Sequence, residues 1–139
     1  MIKSVNYSNA VITGGIWKEK QKMVRSTSIH AIYDRFAETG RFDALRFDWK
    51  EGMPNKPHIF WDSDVAKWIE SAAYLTALKK EPKLEKEIDR LVDLIEKNQC
   101  EDGYFNIYFT TIWCVSTCSH NRKYVFTFCL VKSTCTSEL

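Results

Sequence analysis

The chain has 139 residues, of which 45% are apolar and 27% charged, close to the averages of a globular protein and enough for one domain of ordinary size. Twenty Lys and Arg stand against 18 Asp and Glu, a net charge of +2, which argues against a duplex nucleic-acid binder, since those carry a basic stripe and a pI above about 9. No apolar run approaches the ~18 residues of a spanning helix, and the first residues lack the apolar core of a secretory signal, so the sequence reads as cytoplasmic, with no membrane partner.

In chain order, residues 1–16 read as irregular, with a short strand at Ala10–Thr13 and a turn at Gly14-Gly15. Residues 17–39 follow a helical pattern, with Met23, Val24, Ala31, Ile32 and Phe36 at spacings that can share a face. Gly40 follows, the residue type that suits a left-handed helix C′ position. Residues 41–61 form a long connection that contains Gly52, Pro54 and Pro57 and cannot be one continuous helix. Long connections of this kind are often functional in compact domains.

The next helix is the best defined. Asp62 or Ser63 can cap it, and Asp64 suits the positive end of its dipole. Val65, Trp68, Ile69, Ala72, Leu75 and Thr76 then trace an apolar face. Lys79 and Lys80 fall in the last turn, where cations are favoured. Pro82 fits the first position of a following helix, whose stripe is Leu84, Ile88, Leu91, Val92 and Ile95, with Asp93 and Lys97 as a helpful pair. The short link between the two implies an αα-hairpin. Asp102-Gly103 marks a turn, and Tyr104, Phe105, Tyr108 and Phe109 cluster after it. The fold class is therefore all-α, built from helical hairpins and aromatic-rich connections.

The last thirty residues differ. Residues 1–109 hold 17 basic and 17 acidic residues and one cysteine, whereas 110–139 hold three basic residues, one acid, four of the five cysteines, ten Ser or Thr, and no Gly or Pro. Such a shift marks a boundary, so the expected organisation is 1–109 as one portion and 110–139 as a divergent tail. Thirty residues without turn punctuation make a poor domain by themselves. Cys114, Cys118 and His120 are metal-compatible types, but a structural zinc site needs a second ligand pair that is missing here.

Chemistry concentrates in Lys56-Pro57-His58-Ile59-Phe60-Trp61-Asp62-Ser63-Asp64, where a loop meets a helix. Aromatic faces suit sugar rings and carboxylates suit sugar hydroxyls. The plainer reading has Asp62, Ser63 and Asp64 capping the helix while Phe60 and Trp61 pack in the core. Glycoside hydrolysis needs two carboxylates at a set separation. Asp62 and Asp64, two apart, do not face each other on a helix and make a poor pair. His58, in the loop, is a better acid/base or binding candidate than His30, which lies inside the first helix. The candidate sugar-binding residues are His58, Trp61, Asp62, Asp64, Asp102 and Tyr104.

Four stretches, GGIWKEKQKMVR, IHAIYDRFAETGRFDALRFDWKEG, NKPHIFWDSDVAKWIESAAYL and DGYFNIYF, resemble the N-terminal part of glycoside hydrolase family 127, typified by β-L-arabinofuranosidases. The likeness runs over about residues 5–109. It implies an (α/α)6 barrel of which these helices are the first few, in family members several times longer. It also implies hydrolysis of non-reducing terminal L-arabinofuranosides, with a carbohydrate substrate as partner. The family's retaining mechanism uses a cysteine nucleophile held on zinc, with further Cys and Glu ligands and a Glu acid/base. None of those motifs maps onto this sequence, so no catalytic or metal residue is carried over, and no cofactor is expected in this chain. Residues 110–139 then read as aberrant, frameshifted sequence ending a truncated product. Rival readings are a non-catalytic helical carbohydrate-binding or scaffold module, and a small metal-binding protein that uses the tail. A few hairpins of a barrel would leave apolar stripes at Trp68/Ile69 and Leu91/Ile95 partly bare, so self-association is expected.

Overall fold

The computed structural model describes residues 9–101 and 103–112. Its regular elements are helical, with no strand among the described residues, and the strand expected at Ala10–Thr13 does not form. The first helical segment comprises α1 (Gly15–Met23), a π-helical stretch (Val24–Ser28) and α2 (Ile29–Glu38) in direct succession. In the π stretch the Ile29 amide reaches back five residues to the Val24 carbonyl. The extra residue per turn rotates everything beyond it relative to α1. The single face expected from Met23 to Phe36 is therefore split: Met23, Val24, Ala31 and Ile32 are exposed. The stripe that packs inward is Ile29, Tyr33 and Phe36, an i, i+4, i+7 set.

Trp68 fixes that choice. Its indole is buried, donates to the Ile29 carbonyl at 3.0 Å, and lies 5.2 Å from the Tyr33 ring and 5.9 Å from Phe42. The Tyr33 hydroxyl continues outward to Glu87 at 2.7 Å, a carboxylate that also accepts from Arg90 Nε at 2.8 Å. The Tyr33 bond and then the Arg90 bond hold the Glu87 carboxyl below its usual range, while burial pushes the Tyr33 phenol up.

α2 ends as a Schellman motif. The Gly40 amide bonds the Ala37 carbonyl at 3.1 Å and the Arg41 amide bonds the Phe36 carbonyl at 2.9 Å, with Gly40 at φ +76°. The segment expected to be a plain connection then turns back into the core. A 3₁₀ turn at Asp43–Arg46 buries Ala44 and Leu45, and Phe42 is buried just before it. Asn98 Nδ2 holds the Leu45 carbonyl at 3.0 Å.

α3 (Trp61–Leu78) and α4 (Pro82–Asn98) form the expected hairpin, with Pro82 in the first turn. Val65, Trp68, Ile69, Ala72 and Leu75 meet Leu84, Ile88, Leu91 and Ile95 in one core. Both ends of α3 differ from expectation. Phe60 is the N-cap residue and no side chain caps it; Asp62 and Ser63 lie inside the first turn, and the Ser63 hydroxyl donates back to the Phe60 carbonyl at 2.8 Å. At the other end the last turn holds no basic residue and Lys79 is the C-cap. The cation there is Arg25, from the π stretch, which donates to the Leu75 carbonyl, to the Lys79 carbonyl at 3.2 Å, and pairs with Glu81 at 3.6 Å. A guanidinium on the terminal carbonyls stabilises the negative end of the helix dipole wherever in the sequence it comes from.

A short α5 (Ile107–Ile112) closes the described region. The stripes expected to be bare are buried: Trp68, Ile69, Leu91 and Ile95 are all core residues. Exposed apolar surface lies instead on Val11, Ile16, Trp17, Met23 and Val24. Among the described residues no helix is long and apolar enough to cross a membrane.

Two substitutions test this packing. A Cβ on Gly40 would sit 2.8 Å from the Asn55 Cβ in a left-handed backbone. Gly40→Ala should therefore cost at least about 1–2 kcal/mol, seen as a lowered urea midpoint; an unchanged midpoint would contradict the motif. Trp68→Phe keeps an aromatic side chain but loses part of the buried indole and the donor to Ile29, and should cost about 1 kcal/mol or more in the same measurement.

Candidate functional site

The site is built where the loop after the 3₁₀ turn enters α3. Pro57 is buried and anchors the approach. The Trp61 amide then closes a turn on the His58 carbonyl at 3.0 Å, and the Asp64 amide bonds the Phe60 carbonyl at 2.9 Å to begin the helix. The Phe60 amide points at His58 Nδ1 at 3.4 Å, which makes that nitrogen an acceptor and leaves the proton on Nε2 in the neutral ring. The His58 and Phe60 rings lie 5.4 Å apart, and Phe60 is 58% exposed.

Trp61 behaves differently from its neighbour. It is buried, and the Arg41 guanidinium covers its ring at 5.3 Å, so it is more a core residue than a free sugar platform. Arg41 also lies over Phe36 at 5.0 Å, donates from Nε to Asp64 Oδ2 at 3.4 Å, and bonds Thr39 Oγ1. Lys67 reaches Asp64 Oδ1 at 3.9 Å. Lys56 Nζ stands 5.9 Å from the Trp49 ring, whose indole N–H closes its own loop on the Met53 and Pro54 carbonyls at 3.2 and 3.0 Å. Together these side chains line an open groove of about 690 Å³, formed by Arg41, Lys56, His58, Phe60, Trp61, Asp64 and Lys67.

Of the residues expected from sequence, His58, Trp61 and Asp64 meet in this groove. Asp62 does not line it. Its Oδ2 accepts from Asn106 Nδ2 at 3.0 Å, while Asn106 Oδ1 caps α5 by accepting the Phe109 amide at 2.9 Å. The two aspartates thus have different partners and form no acid pair. Tyr104 lies in the turn between α4 and α5, where its carbonyl accepts the Cys100 amide at 2.9 Å. Asp102 lies outside the described residues, as do Cys114, Cys118 and His120. The sequence reading does not single out Arg41, Lys67 or Asn106. Arg41 was detectable only as the residue after the Gly40 cap, Lys67 as an i+3 partner of Asp64, and Asn106 as a good N-cap type before an apolar run.

Among the described residues no three His, Cys, Asp or Glu side chains come together. These residues therefore do not fit the zinc centre that the family resemblance implies for full-length members, and no metal-dependent step is assigned to them.

The sequence matches the family described as "Beta-L-arabinofuranosidase, GH127 catalytic domain" over residues 10–132. The chain belongs to the GH127 family. That match continues past Phe109 and across the change in composition. A non-reducing end β-L-arabinofuranosidase of Bifidobacterium longum subsp. longum is 50% identical over 77 residues, which are 55% of this chain and 10% of that protein. A solved GH127 β-arabinofuranosidase superposes with a TM-score of 0.67 at 25% identity, over 76% of this chain and 17% of that one. The helices thus correspond to part of an (α/α)6 barrel protein, and the GH127 chain spans between a tenth and a sixth of the length of these relatives.

Burial pushes the Asp62 carboxyl above its ordinary range, against the backbone amides of Ser63 and Asp62, which favour the charge; the nearby Asp64 adds a small upward push. A carboxyl raised on folding contributes stability that is full below its unfolded pKa and is lost as pH rises through its folded pKa. Glu87, lowered on folding, has the opposite sign, so the difference between variants is the informative quantity. Asp62→Asn should gain stability relative to the parent as pH rises through the window from the unfolded to the folded Asp62 value. Urea midpoints at a series of pH values check this, and a difference independent of pH would contradict it.

Proposed function

We propose that this GH127 chain forms the N-terminal helical part of a catalytic domain acting on non-reducing terminal L-arabinofuranosides, and that the groove at the start of α3 is one wall of its sugar site. The observation that carries this reading is the groove itself. It sets exposed aromatic rings, His58 and Phe60, beside a carboxylate, Asp64, that Arg41 and Lys67 hold in place. The aromatic edges suit the C–H face of a sugar. A charge-held carboxylate and a stacked guanidinium suit its hydroxyls, as acceptor and donor.

The same geometry argues that the chain by itself does not cleave. Glycoside hydrolysis needs an acid together with a nucleophile or base, either a second carboxylate or, as the family resemblance implies, a cysteine. The residues lining the groove include one carboxylate, Asp64, and no cysteine, while Asp62 is committed to Asn106. Binding without chemistry is the expected behaviour of this groove, with acid and nucleophile lying outside its lining.

The purified 139-residue chain should therefore quench or shift its tryptophan fluorescence with an aryl β-L-arabinofuranoside and release no phenol from it. Asp64→Asn should weaken that binding about ten-fold, the loss of one hydrogen bond to a charged group. Turnover would overturn the non-catalytic assignment, and absence of any binding would overturn the sugar wall.

A further inference from the structure

The charge lining the groove is unbalanced. Arg41, Lys56 and Lys67 face a single carboxylate, Asp64. That carboxylate is already shared, with Arg41 on Oδ2 and Lys67 on Oδ1. Lys56 has an aromatic neighbour, Trp49 at 5.9 Å, and among the described residues no carboxylate within ion-pair reach. Neutral hydroxyls do not call for this excess of cations.

Arg41 is the decisive member. Its guanidinium is held between the Phe36 and Trp61 rings at 5.0 and 5.3 Å, and its side chain is only 23% exposed. Nε is used by Asp64 and Nη1 by Thr39, so among the described residues Nη2 keeps donors for a ligand. A stacked, partly bonded fork is fixed before the ligand arrives and loses little freedom on binding it. Lys56 and Lys67 add flexible point charges at the mouth, and Phe60 with His58 adds a surface for a ring.

Resting on the sugar-wall reading above, we propose that this groove recognises an acidic carbohydrate, with the anionic group, a uronate carboxylate or a sulfate ester, on Arg41, Lys56 and Lys67 and the ring against Phe60 and His58. The groove then selects arabinofuranosides carried on acidic glycans over those on neutral ones.

The test titrates the full chain by calorimetry with a galacturonate disaccharide, a monosulfated disaccharide, a neutral disaccharide of the same size, an aryl β-L-arabinofuranoside and inorganic sulfate. At low salt at least one acidic sugar should bind about ten-fold tighter than the neutral disaccharide, and which acid wins separates carboxylate from sulfate. The advantage should shrink several-fold at about 0.2 M salt, because the lysines are exposed and screened. Lys56→Gln with Lys67→Gln, both at exposed positions, should bring the ratio to within about two- to three-fold without moving the melting temperature. Equal binding of acidic and neutral sugars, an advantage that survives the lysine changes, or inorganic sulfate binding as tightly as the sulfated sugar would each overturn the proposal. Arabinofuranoside binding without acidic preference would overturn this inference alone. Acidic-sugar binding without arabinofuranoside binding would overturn the proposed function and leave the anionic site standing. No binding of any sugar would overturn both.

Discussion

The guanidinium of Arg41 is the constraint on which the site depends. It is positioned by a backbone event one residue earlier, the left-handed Gly40 that ends α2. In a Schellman motif the residue after the glycine is brought back over the last helical turn, and an apolar contact commonly seals that return. Here the contact is a cation over a ring, Arg41 on Phe36. The same guanidinium then meets Trp61 and Asp64 at the start of α3. One charged group therefore joins the end of one helix to the beginning of another, across the residues that form the connection. Asn55 packs directly on Gly40, which ties the far part of that connection to the same point.

Behind this surface the core is organised around α3. Its inward face meets α2 through Trp68 and α4 through a ladder of aliphatic residues. The indole hydrogen bond to Ile29 matters because it falls at the junction of the π stretch with α2. A buried N–H needs an acceptor, and the Ile29 carbonyl supplies it in the register that turns Tyr33 and Phe36 inward. The same π stretch presents Arg25 to the terminal carbonyls of α3, on Leu75 and Lys79. The local irregularity thus places one residue in the core and another on a helix terminus.

The GH127 relationship gives these features a setting. The helices align with part of a much longer barrel protein. The groove combines one carboxylate, a guanidinium held by its neighbours, exposed lysines and exposed rings. Asp62, although two residues from Asp64, belongs to a structural task, since Asn106 uses one end of its amide to hold Asp62 and the other to cap α5.

Much of this was legible in the sequence, and the divide follows physical lines. Periodicity determined the α3–α4 hairpin and nearly all of its buried residues, because two long amphipathic helices joined by three residues have one way to cover their apolar faces. The Gly40 cap and Pro82 at the start of α4 were equally readable, since each answers a local backbone requirement. The segment from Lys56 to Asp64 was recognisable as the place where chemistry would gather. Tertiary structure alone decided the rest. Periodicity assumes a constant 3.6 residues per turn, so it put Met23 and Val24 on the face of α2, whereas the π stretch takes α1 out of phase with α2. Within α2 it is the packing of Trp68 on Ile29 and Tyr33 that leaves Ile32 outside. Capping rules treat Asp62 and Ser63 as equal candidates, yet the helix begins before both. Arg41 and Asp64 are 23 residues apart, and Asp62 and Asn106 are 44 apart. Only the packing of separate elements brings such charges together, because electrostatic and hydrogen-bond partners are chosen by distance in space, which local sequence pattern does not encode.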